Sequence, residues 1–140
     1  MNEFKESSEP LPLIDEDMQA SWRAVMSPDE IREIVQSACS ITLSGLAEIE
    51  MAAHRDDRQA LRRAAHKLKG MIANLGGVRL AKALLGIELA AATAGGPIPS
   101  LEGLAELVGL TVAAFRRSIA GIGSQKGLEI AESAGLPTKR

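Results

Sequence analysis

His66 stands in the most chemically suggestive stretch of the chain. Arg62 lies four residues before it, Lys69 three after and Gly70 four after, spacings that put all of them on one side of an α-helix. Two cations beside an imidazole favour its neutral form, which keeps one ring nitrogen nucleophilic, and the same cations would stabilise a phosphoryl group once attached. Gly70 costs about 1 kcal/mol relative to alanine in a helix interior. Its missing side chain leaves a shallow notch beside the ring, where another protein's backbone could approach.

The segment around His66 is also electrically unlike the rest of the chain. Residues 55–69 carry Arg55, Arg58, Arg62, Arg63, Lys67 and Lys69 against Asp56 and Asp57, a balance of +4 within a protein of net charge −2, so the remainder sums to −6. A basic strip on an acidic protein predicts an anionic partner at that strip. Binding of nucleic acid is not expected, because the rest of the chain is acidic and aromatic residues make up only 2% of it.

Other chemistries find little footing. His54, Cys39 and His66 lack the spacing of metal ligands, so no metal site is expected, and Cys39 reads as a small buried residue. No Gly-rich phosphate loop, dinucleotide-binding turn or nucleophile elbow occurs, which leaves no nucleotide site for autonomous kinase activity. No apolar run approaches the roughly 20 residues that span a bilayer, and residues 1–14 hold Glu3, Glu6 and Glu9 without a secretory apolar core. The protein is therefore expected in the cytoplasm, with no membrane partner.

The elements that must position His66 read as helices throughout. Ala, Leu and Ile recur at 3.6-residue spacing, and alternating β-branched runs are missing. Asp15 caps a short helix to about Met26. Ser27-Pro28-Asp29-Glu30 has the form of a capping box, opening a helix of about 26 residues with the stripe Ile31, Ile34, Val35, Ala38, Ile41, Gly45, Leu46, Ile49 and Ala53. Asp56 or Asp57 caps a third helix, with Leu61, Ala65, Leu68, Ile72 and Leu75 as its core positions, ended by Gly76-Gly77. Residues 78–92 are apolar on nearly every side and read as a buried fourth helix. Ser100 is expected to cap a fifth, with Leu101, Leu104, Val108, Thr111, Phe115 and Ile119 inward and Gly121 past its end. The expected architecture is an all-α, up-down antiparallel four-helix bundle with a short additional N-terminal helix. Residues 1–12 are expected to form a flexible leader, 13–122 the bundle and 123–140 a flexible C-terminal tail.

Ala65-His66-Lys67-Leu68-Lys69-Gly70, followed by Ala73-Asn74-Leu75-Gly76 and Leu80-Ala81, resembles the signature of histidine-containing phosphotransfer (HPt) domains of multistep two-component phosphorelays. Pro12-Leu13-Ile14-Asp15 echoes the family's opening, and residues 84–88 its next helix, so the resemblance covers roughly residues 11–120.

The resemblance implies that His66 is the phosphorylated histidine, that Lys69 and Lys67 steady the phosphoryl group, and that Gly70 leaves room for the docking partner. The partners implied are receiver domains of response regulators and of a hybrid histidine kinase. The chain itself would bind no cofactor, and Mg2+ would sit on the receiver. Arg62, Ala73, Met71, Met18 and Ile14 are the expected docking surroundings, with Met71 standing where a small hydroxyl residue often follows the family's glycine. Glu88 occupies a position where some members carry glutamine facing the histidine. A carboxylate there would accept the Nδ1 proton and leave Nε2 as the nucleophile, while repelling a bound phosphate. The expected product is a monomeric phosphocarrier; the alternative is a helical adaptor that binds a signalling protein through the basic face without being phosphorylated.

Overall fold

Local capping decides where the helices begin. In the computed structural model, which describes residues 11–133 and the side chains of 11–120, Asp15 accepts from the Met18 N–H and opens α1 (Glu16–Val25). Ser27 and Glu30 exchange hydrogen bonds in a reciprocal capping box that starts α2 (Pro28–His54). Asp57 accepts from the Ala60 N–H and starts α3 (Arg58–Asn74). Of the two candidate caps only Asp57 serves; Asp56 takes a left-handed φ of 59° that turns the chain between α2 and α3. α4 spans Val78–Ala92 and α5 Leu104–Ser133. No strand occurs among the described residues.

α3 packs closely on α4 and on α2, and α2 on α5, while α4 and α5 touch only lightly. Short turns make α2 and α3, and α3 and α4, antiparallel neighbours, the longer connection 93–103 leads to α5 against α2, and α2 to α5 form the expected bundle. α1 lies at the end where α3 turns into α4: the Asp15 N–H donates to the Gly76 carbonyl at 2.7 Å. That turn needs both glycines. Gly76 sits at φ 85°, and a Cβ on Gly77 would fall 2.7 Å from Ile72 Cγ2.

The core follows the helical period. Leu61, Ala65, Leu68, Ile72 and Leu75 of α3 are all buried, as are Leu80, Leu84, Ile87 and Ala91 of α4 and Val108, Phe115 and Ile119 of α5. Thr42 and Thr111 are buried too, each donating its hydroxyl to the carbonyl four residues earlier. Cys39 is buried as expected, and burial pushes its thiol above the ordinary range.

Several expectations need correcting. Ile34 and Ile41 are exposed, and the inward stripe of α2 instead runs through Thr42 and Cys39. α4 is buried on one side only: Leu80, Leu84, Ile87 and Ala91 turn into the core, and Leu85 and Leu89, off that stripe, are exposed. α5 starts at Leu104, not Leu101. Gly103 adopts φ 82°, which no helix interior accommodates, and Ser100 caps only the turn before it. At its other end α5 passes through Gly121 to Ser133, so the expected tail is helical over that part; a lone glycine costs about 1 kcal/mol and does not by itself stop a helix. Residues 1–10 of the expected leader lie outside the described residues, and its end is held, the Leu11 carbonyl accepting from the Arg79 guanidinium.

Candidate functional site

α3 carries His66 out of the bundle at mid-length. Ala65 and Leu68 on either side of it are buried, so the register of α3 is fixed by the core and the imidazole must leave on the opposite side. His66 is 65% exposed at its side chain. Its Nδ1 lies 2.7 Å from Oε2 of Glu88, which α4 brings up from 22 residues away.

Glu88 is only 14% exposed, and its second oxygen, Oε1, is 2.8 Å from Nζ of Lys69. One carboxylate thus holds both the imidazole and the nearby ammonium. The Lys69 hydrogen bond lowers the Glu88 carboxyl from its ordinary range, the His66 contact adds to this, and partial burial opposes both. An ionised carboxylate has no proton to give, so the ring must donate: Nδ1 carries the hydrogen, and in the neutral ring the lone pair is then on Nε2.

The other expected residues divide into groups. Arg62, Gly70 and Ala73 are exposed on α3, one or two turns from His66. A Cβ on Gly70 would meet nothing within 4 Å, so packing within this chain gives no reason for glycine there. Lys67 and Met71 point away from Glu88. They line a groove of about 360 Å³ between α2 and α3 with Ile41, Ser44, Gly45 and Glu48. Met18 and Ile14 sit at the end of the bundle: the Met18 sulfur packs at Gly76, and Ile14 lies near Val78.

The cationic surroundings are more selective than the sequence implies. Lys69 is not a free cation beside the ring but is paired with Glu88. Arg58 belongs to the scaffold, its guanidinium donating to the carbonyls of Thr93 and Gly96 at the end of α4. Arg55, Arg62, Arg63 and Lys67 remain exposed. His54, the last residue of α2, is exposed as well. No group of three or more His, Cys, Asp or Glu able to hold a metal occurs among the described residues. None of the described helices is long and apolar enough to cross a membrane.

Comparison with known families gives a match over residues 27–119 to the Hpt domain. The chain belongs to the Hpt domain family. Among solved structures, this Hpt domain is similar to the crystal structure of histidine-containing phosphotransfer protein B (HptB) from Pseudomonas aeruginosa PAO1. The two are 26% identical, the match covers 81% of this chain and 96% of that one, and the TM-score is 0.63. No curated protein matches. The bundle is accordingly an Hpt fold, and its role is histidine phosphotransfer within a phosphorelay. Hpt domains carry phosphoryl groups rather than turning over substrates, and they interact with receiver domains.

Proposed function

We propose that this Hpt domain relays a phosphoryl group between receiver-domain aspartates through Nε2 of His66. The observation that carries the reading is an exposed imidazole whose Nδ1 is engaged by an ionised, mostly buried carboxylate. The Nε2 lone pair attacks the phosphorus of an aspartyl phosphate in line. The P–O bond breaks with its electron pair returning to the aspartate carboxylate, and an N–P bond forms. No proton has to leave, because the ring keeps its Nδ1 hydrogen on Glu88. In the onward step a second receiver's aspartate attacks, and the N–P electrons return to Nε2.

Glu88 is the positioning residue in this scheme, fixing the tautomer and turning Nε2 outward. Lys69 neutralises Glu88, which offsets the repulsion between that carboxylate and an incoming phosphoryl group. Arg62 and Lys67, exposed on α3, complement the acidic pocket of a receiver, where Mg2+ would also reside. Gly70 admits the partner's backbone. The working unit is a cytoplasmic monomer without autonomous kinase activity, serving response-regulator receivers and that of a hybrid histidine kinase. The test is exposure of the wild type and a His66→Ala variant to phosphorylated receivers. Acid-labile, base-stable label on the wild type alone is expected; label persisting on the variant would overturn the assignment, and no label on either would favour the unphosphorylated adaptor.

A further inference from the structure

α4 presents two leucines to solvent beside the site. Leu85 is 39% exposed and Leu89 60%. Their placement follows from Glu88. Its bonds to His66 and Lys69 fix which side of α4 looks toward the exposed side of α3. Leu85 lies three residues before Glu88 and so shares that side, with Ala81 and Ala92 above and below it on the same stripe. Leu89 follows at its outer edge. The face that carries His66 therefore has an apolar border on α4, distinct from the α2–α3 groove lined by Met71 and Lys67.

Nothing inside the chain explains that border. Adjacent helices pack with their axes about 8–10 Å apart, and a protein interface of ordinary size covers about 800 Å² on each partner, a disc of roughly 16 Å radius. A domain that delivers a phosphoryl group to Nε2 of His66 must be centred close to that atom. Residues one helix away and within a turn of Glu88 then fall beneath it. We infer that Leu85 and Leu89 form part of the receiver-docking surface, so that the receiver straddles α3 and α4 and buries an apolar edge against α4. The charges agree: Arg62 of α3 and Lys82 of α4 are exposed around this face, the sign that complements the acidic pocket of a receiver.

This inference rests on the receiver-to-His66 reading but can fail separately from it. Purified receiver domains charged with acetyl phosphate serve as probes, with transfer rates read against protein concentration and binding of the uncharged receiver read by calorimetry. The Leu85→Ser/Leu89→Ser double variant should raise KM and Kd about 10-fold and leave the saturating rate within about twofold, the pattern of lost docking rather than lost chemistry. Leu43→Ser is the control. Leu43 is 44% exposed and lies four residues after Cys39, whose thiol faces Val112, so it sits on the α5 side of α2 away from His66. It should change neither constant. Should the double variant melt early, Leu89→Ser alone is used, since that side chain is the more exposed. Wild-type KM and Kd in the leucine variants would overturn the inference while the relay stands. So would a wild-type dimer that the double variant dissociates without change in receiver affinity, since the occupant would then be a second copy. Receivers that neither bind nor transfer to the wild type would overturn both.

Discussion

Oε2 of Glu88 lies 2.7 Å from Nδ1 of His66, and this bond joins the two helices that make the site. In the proposed relay it leaves Nε2 of a solvent-exposed histidine as the nitrogen that takes the phosphoryl group. The same carboxylate ties down Lys69, so the ring's hydrogen bond and the local charge are both set from one position on α4.

Removing that carboxylate should unfix the ring without unfolding the bundle. Glu88→Ala is expected to slow phosphoryl acceptance by roughly 10-fold or more, the scale of losing a charge-assisted hydrogen bond, while Glu88→Gln, which still accepts from Nδ1, recovers part of the rate. Rapid-quench transfer assays measure the rates. Equal rates for all three proteins would remove Glu88 from the mechanism.

Gly70→Ala separates stability from function. The added Cβ meets no atom of this chain, so helix propensity should raise stability by up to about 1 kcal/mol. Transfer should nevertheless slow, and a bulkier Gly70→Leu should slow it further. Urea melts and transfer rates on the same samples check both halves.

The fold's dependence on its core is tested at Phe115, which is fully buried. Phe115→Ala should cost about 3–5 kcal/mol, the range for emptying an aromatic site, as measured by chemical denaturation. Ser27→Ala, which removes half of the capping box, should cost about 1 kcal/mol.

Much of the bundle was legible because one period repeats. Every core position expected on α3, from Leu61 to Leu75, is buried, and Asp15, Ser27 and Asp57 cap where short polar residues precede an apolar run. His66, Lys69 and Gly70 stood out because charge and helix-breaking cost both depart locally from that pattern. α4 was less legible: a helix apolar all round gives no sign of which side is left outside, and only the burial of Leu80, Leu84, Ile87 and Ala91 in the core leaves Leu85 and Leu89 outside. The start of α5 turned on the left-handed Gly103, which the apolar stripe through Leu101 concealed. Pairing across helices carries no local signal. The Lys69–Glu88 bridge and the bonds from Arg58 to Thr93 and Gly96 became readable only once the helices were side by side.

Acid should weaken the site in a defined direction. Folding lowers the Glu88 carboxyl, chiefly through Lys69, so its contribution to stability is present above the ordinary carboxylate range and is lost as pH falls through the lowered value. Thermal melts of the wild type should therefore drop more steeply on acidification than those of Glu88→Gln. Parallel profiles would contradict the ion pair.

The most direct test of the account is 15N and 31P NMR of the protein before and after phosphoryl transfer from a charged receiver. Before transfer the His66 ring should carry its hydrogen on Nδ1; afterwards phosphorus should couple to Nε2 of His66, with the Nδ1 hydrogen still in place. Phosphorus on Nδ1, on His54, or on no histidine at all would contradict the relay through Nε2 of His66.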